Sequence, residues 1–176
     1  GRNLLFSGNA TTADSETVVS VESGFKTVTA DNMGKLDGAV FYYQVSDQQL
    51  TAVGGEGNLA RLLNADKAVG YGFELDGEYF LTADLVLSGS VSYNNTELQD
   101  GSIGVAPCGG GCTVTDPIRG DGQAIIDGNP LPQSPEWISN LALRWSKEIG
   151  DGELYVYTDW SYRSEVNFFL YESLEF

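Results

Sequence analysis

Two cysteines and several acidic groups are the residues of this chain best suited to chemistry. Cys108 and Cys112 bracket three glycines in "CGGGC". The glycines let the backbone turn tightly enough to bring the sulfurs together, and in an oxidising compartment a disulfide is the expected state. Free thiols are the alternative, and a metal site is the weaker one. The chain has no histidine, so two thiolates would lack the usual metal partners, and no histidine-based triad can be assembled. Further along, "TDPIRGDGQAIIDGN" (115–129) offers Asp116, Asp121 and Asp127 beside Arg119. These four are candidate substrate-binding residues. Their spacing lacks the full acidic pattern of a calcium loop, and the alternative is a solvated loop. Glu74, Asp76 and Glu78 alternate along one segment. Paired carboxylates can do acid–base chemistry, as in glycosidases. Here no pair stands out from the general acidity, and facing water beside Lys26, Arg144 or Arg163 is the preferred reading. No glycine-rich phosphate loop follows a strand and opens a helix. The expectation is a protein that is not an enzyme, with no catalytic residues, no metal and no cofactor.

Composition narrows the partners. Nine basic residues stand against 25 acidic ones among 176, a net charge of −16. Nucleic-acid binding needs a basic footprint and is excluded. Attraction to an anionic lipid surface is disfavoured for the same reason. No apolar run approaches the roughly 20 residues of a spanning helix, "AVFYY" (39–43) being among the longest. Spanning by strands stays open, because barrel strands hide their hydrophobicity in alternation. The opening "GRNLLFSGNATTADSETVV" has no cleavable apolar core, which points to a cytosolic protein or an internal piece of a longer one.

The elements that must position these groups read as strands. Period-two segments fall at roughly 17–30, 36–47, 68–80, 85–97, 137–147 and 153–165. A doubtful helical period covers only "GNLARLLNADKA" (57–68). Short turns at 31–35, 81–84 and 148–152 alternate with long loops at 47–66 and 98–136. In an up-and-down meander all short turns then fall at one end, as in barrels of the outer-membrane type. One parity of five strands is free of charge: Val19, Val21 and Phe25; Tyr71, Phe73, Leu75 and Tyr79; Leu85, Leu87 and Val91; Trp137, Leu141, Leu143 and Trp145; Leu154, Val156, Trp160 and Tyr162. The other parity carries Glu22, Lys26, Glu74, Asp76, Glu78, Arg144, Asp159 and Arg163. The segment 36–47 is apolar on both. Tyr71 and Tyr79 share a parity eight positions apart, as do Trp137 and Trp145. Eight residues cover about 19 Å vertically in a strand tilted near 45°. That sets one ring near each edge of an apolar band about 25 Å tall, where Trp and Tyr favour the interface.

Three stretches, "ESGFKTVTADNMGKLDGAVFYYQVSDQQL" (22–50), "NADKAVGYGFELDGEYFLTADLVLSGSVSYNNTEL" (64–98) and "GNPLPQSPEWISNLALRWSKEIGDGELYVYTDWSYRSEV" (128–166), resemble in order the late barrel strands of TonB-dependent outer-membrane receptors. "GYGFELDGEY", and "LPQSPEW" followed by "DWSYRS", are the most specific parts. The resemblance implies an all-β fold: an antiparallel meander forming part of a transmembrane barrel of about 22 strands. It implies a Gram-negative outer-membrane location and active uptake of an iron chelate, cobalamin or saccharide. A plug domain, the TonB complex and outer-membrane lipid would be the partners. Residues 1–176 would then be a partial barrel of about six strands, without the plug and without the N-terminal TonB-contacting box. The eight charged residues named above would face the lumen. The alternative is a soluble or surface β-sandwich that binds a ligand through its loops and buries its apolar parity against a second sheet.

Overall fold

The computed structural model describes residues 12–55, 57 and 59–175, the side chain of Leu59 apart. Among the described residues eight strands run in chain order: β1 (Thr17–Val28), β2 (Gly34–Gly54), β3 (Leu59–Thr82), β4 (Leu85–Leu98), β5 (Gly104–Val105), β6 (Ala124–Ile125), β7 (Trp137–Ile149) and β8 (Gly152–Arg163). Six of them form one sheet in the order β1-β2-β3-β4-β7-β8, and β5 pairs only with β6. Every neighbouring pair is antiparallel. The described residues include no helix. The large sheet is an up-and-down meander, with its three short turns at one end and, at the other, the β2–β3 hairpin tip and the long connection from β4 to β7.

The expected loop at 47–66 is a correction. Most of it is strand: β2 has 21 residues and β3 has 24, and they pair as far as Gly54 and Leu59. Within the helical period over 57–68, residues 59–68 are strand as well, and Asn58 lies outside the described residues. The alternation was hidden because the outer hairpin is covered on more than one side. On a straight strand Val45 and Leu50, five positions apart, point to opposite faces. Both nevertheless belong to one buried cluster with Ala52, Ala65, Ala68 and Leu98. The ribbon changes direction at Asp47, a non-glycine residue with φ 55°. The Asn64 side chain fastens this bend, donating to the carbonyls of Asp47 (2.6 Å) and Asp14 (3.2 Å).

The ambiguous segment 36–47 is resolved by glycine. Phe41 lies directly opposite Gly72, and Tyr43 opposite Gly70. A Cβ at Gly70 would overlap the Tyr43 ring, and one at Gly72 would meet the Phe41 ring and overlap the Tyr93 carbonyl. The two aromatic rings, 6.4 Å apart and within 15° of parallel, therefore lie over a floor made by the missing side chains. This is the cross-strand covering of glycine by aromatics that pins register in sheets.

At the short-turn end, Thr29 N–H donates to the Gly34 carbonyl (2.8 Å), closing the turn between β1 and β2. Asp31 collects donors there: the Thr29 hydroxyl, the Tyr79 hydroxyl at 2.6 Å and the Met33 N–H at 2.9 Å. These bonds, Thr29 first, lower its pKa from 3.8 to about 2.

Two outcomes are expected. Gly72→Val should destabilise the sheet by about 1–3 kcal/mol, the cost of forcing volume into a packed site. Gly77→Ala should cost less, because its Cβ would meet only Leu36 Cδ1 at 3.2 Å and a carbonyl at 3.4 Å. Urea midpoints in detergent check both. The depressed pKa of Asp31 means its stabilisation is full above about pH 4 and is lost as pH falls towards 2. The stability advantage of the native protein over Asp31→Asn should therefore shrink across that window. A pH-independent difference would contradict it.

Candidate functional site

The register settles what shares a face. Following the pairs across the sheet, odd residues of β1 meet even residues of β2, odd residues of β3, β4 and β7, and even residues of β8. All five uncharged parities thus lie on one face. Leu75, Leu141, Leu143 and Val156 lie on it, whereas Glu74, Arg144 and Asp159 lie on the other. Among the described residues no second sheet covers the apolar face: the one other sheet found there has two-residue strands. Val21 is 65% exposed, Val156 59% and Leu141 46%.

The aromatic residues on this face fall in rows. Phe73, Tyr93 and Trp137 are register partners near the long-loop end, with Tyr71 beside them. Tyr93 and Trp137 have ring centroids 4.8 Å apart, Phe73 and Trp137 5.9 Å, and Tyr71 and Tyr93 6.4 Å. Tyr79 and Trp145 sit towards the short turns, and the Tyr79 hydroxyl reaches the turn carboxylate of Asp31. An apolar ring on the sheet with its polar tip in the turn region suits a membrane–water interface.

Glu22, Lys26, Glu74, Asp76, Glu78, Arg144, Asp159 and Arg163 all lie on the opposite face. Their partners differ from those expected. Lys26 pairs with Asp37 (3.3 Å), Glu78 with Lys35 (3.7 Å) and Arg144 with Glu153 (2.9 Å). These pairs are half-exposed and contribute little individually to stability. Glu22, Glu74 and Asp76 form no ion pair among the described residues. With Lys26 and Asp37 they line a shallow depression of about 380 Å³. Beside them β4 presents only uncharged polar groups: Ser88, Ser90, Ser92, Asn94 and Thr96.

Above the long-loop end lies a packed cap, which sequence reasoning missed. Ile103, Val105, Ala124 and Ile126 of the long connection, and Leu170 and Tyr171 of the tail, pack on the outer β2–β3 hairpin. Each of the four candidate binding residues has a local partner here. Asp116 is buried and accepts from Asn129 Nδ2 (2.9 Å) and from the Glu172 N–H (2.7 Å). Asp127 accepts the Asp100 N–H at 2.7 Å. Arg119 donates through Nη2 to the Ser102 carbonyl (2.8 Å), and Asp121 accepts the Gln123 N–H (3.1 Å) in a turn at the surface. Asp100, which sequence reasoning passed over, ties the connection to β3. It accepts from the N–H groups of Asp66, Ser102 and Ile103. Burial pushes its pKa up, but the hydrogen bonds from Ser102, Asp66 and Ile103 outweigh it and hold the carboxyl below its ordinary value. Its signal was the local "DGS" turn chemistry. Cys108 and Cys112 are disulfide-bonded, with Cα atoms 6.3 Å apart.

Comparison with known proteins gives the same architecture. A family model described as TonB dependent receptor-like, beta-barrel, matches residues 3–172. Among curated proteins none matches. The crystal structure of the ferric yersiniabactin uptake receptor FyuA from Yersinia pestis aligns with a TM-score of 0.59 and 19% identity over 88% of this chain. The aligned part is 20% of that receptor, so the chain spans about a fifth of its length. At that identity the likeness speaks for the fold: an antiparallel meander from the wall of a transmembrane barrel, unclosed over these strands. With the family match over nearly the whole length, the chain belongs to the TonB-dependent receptor β-barrel family.

Proposed function

We propose that this chain is part of the wall of an outer-membrane receptor that actively imports a scarce small nutrient. The observation that carries the reading is the two-faced sheet. One face is uncharged over the central rows and edged by aromatic rings; the other holds charges and hydroxyls. Lipid suits the first and an aqueous lumen the second. Six strands are too few to close a barrel of this class, so the reading requires further strands. A plug domain in the lumen and the TonB complex that supplies energy would complete the machine. The nutrient falls in the iron-chelate, cobalamin or saccharide class.

Substrate contacts are proposed on the cap. Asp116 and Asp127 are bound up in its folding, so Arg119 and Asp121 at its surface are the better candidates. A loop this long is more often functional than idle. Deleting 108–127 would remove Ala124, which is fully buried, and would test folding as much as binding. Point substitutions are cleaner.

Two arms test the proposal. Arg119→Ala with Asp121→Ala should weaken ligand binding about tenfold or more, the scale of one lost charged hydrogen bond, while insertion stays normal. Unchanged binding would remove the loop from the site. Leu141→Arg should impair insertion, since a basic residue near the midplane on the lipid face costs about 2–4 kcal/mol. Normal insertion of that variant in a membrane assay would overturn the lipid-facing assignment and revive the soluble binding module.

A further inference from the structure

The cap is assembled from three separate stretches, and the disulfide stands where they meet. On one side of it, the Gly55 N–H donates to the Pro107 carbonyl at 2.7 Å, and Gly55 bridges Cys108 in parallel. The backbones come so close that a Cβ at Gly54 would overlap the Ala106 carbonyl. Residues 106–108 are thus docked on the tip of the β2–β3 hairpin. On the other side, Val114 bridges Ser173 antiparallel, the Thr115 N–H donates to the Glu172 carbonyl (3.0 Å), and the Leu174 N–H donates to the Thr113 carbonyl (3.1 Å). The Thr113 N–H also donates to the Glu175 carboxylate at 2.7 Å. Residues 113–115 are thus docked on the tail.

Between the two docked arms lie Cys112 and, between the cysteines, only Gly109, Gly110 and Gly111. All three are exposed. Gly111 has φ +81°, in the left-handed region, and a Cβ at Gly110 or Gly111 would meet nothing within 4 Å. Three free-standing glycines transmit almost no constraint. The Cys108–Cys112 bond is the short rigid link between the arms, and both cysteines pack against the buried cluster.

We infer that this disulfide is a redox-sensitive clasp that couples the docking of the hairpin tip to the docking of the tail. Closed, it makes the cap one unit. Opened, it leaves the two arms linked along the chain only by a glycine hinge, with their shared packing on the buried cluster as the remaining contact. Opening takes two electrons and two protons. A dithiol supplies them, becoming a disulfide itself while the two cysteine sulfurs become thiols. The inference rests on the cap alone and holds whatever the protein transports.

The test is amide hydrogen exchange on the intact membrane-inserted protein, before and after dithiothreitol, with thiol release confirmed by alkylation. On reduction, the amides of Gly55, Thr115 and Leu174 should exchange faster together by roughly thirtyfold, the loop-closure entropy of a five-residue ring. Amides of β7 should keep their rates. The Cys108→Ser/Cys112→Ser variant should exchange like the reduced protein and be indifferent to dithiol. Four results would overturn the clasp: no thiol release from the folded protein, unchanged rates after release, faster exchange at the tail amides but not at Gly55, or equal acceleration throughout β7, which would mark a global staple.

Discussion

In hydrocarbon a backbone N–H or C=O that finds no partner within the protein costs several kcal/mol, because water is not there to take it. A sheet meets this demand only between strands, so register is the constraint on which the rest of this structure depends. The ladders join six strands, with a shift between Phe80 and Thr82 at the short-turn end and a skipped pair at Asp47 in the outer hairpin. Because side chains alternate with period two, a slip of one residue between β2 and β3 or between β4 and β7 would carry Glu74 or Arg144 to the apolar face. Instead, five uncharged parities fall into line. The aromatic-over-glycine pairs Phe41–Gly72 and Tyr43–Gly70 help hold that alignment, since their shapes fit at one register only.

The same constraint explains where the structure changes character. Along the central rows of the large sheet the apolar residues are exposed or half-buried, as suits a surface whose solvent is lipid. Beyond the aromatic row that solvent ends, and the chain must bury its apolar groups in itself. The hairpin turns at Asp47, and the long connection and the tail fold down on it. There Ala65, Ala68, Leu98, Ala124 and Ile126 are completely or almost completely buried, as in a small water-soluble domain. Its polar fittings are those of water-exposed loops: carboxylates of Asp100, Asp116 and Asp127 accept backbone or amide N–H groups and fix chain reversals.

Legibility in the sequence follows this division. The strands of the large sheet were readable, with Leu141 on one face and Glu74 and Arg163 on the other, because an apolar surface on one side and a polar one on the other enforce strict alternation. The outer half of the β2–β3 hairpin was not, because Leu50, Ala52, Ala60 and Ala65 are buried there and the period is blurred. The cap core was illegible for a related reason: Ile103, Ala124 and Leu170 are far apart in the chain and meet only through tertiary packing. Asp116 and Asp127 were visible as acids, but their engagement with Glu172 and Asp100 depends on those same distant contacts. The inward turn of Phe41 and Tyr43 could have been read from the glycines of "GYGF", had the register been in hand.

The central claim is that the uncharged face of this sheet is wetted by lipid. It is tested most directly by introducing single spin labels one at a time along 138–145 of the membrane-inserted protein. Collision with oxygen, which partitions into lipid, is then compared with collision with a water-soluble nickel chelate. The account predicts a period of two. Labels at Ser139, Leu141, Leu143 and Trp145 should meet oxygen, and those at Asn140 and Arg144 should meet the chelate more readily. Equal accessibility at both parities, or odd positions shielded from both reagents as in a sandwich core, would contradict it.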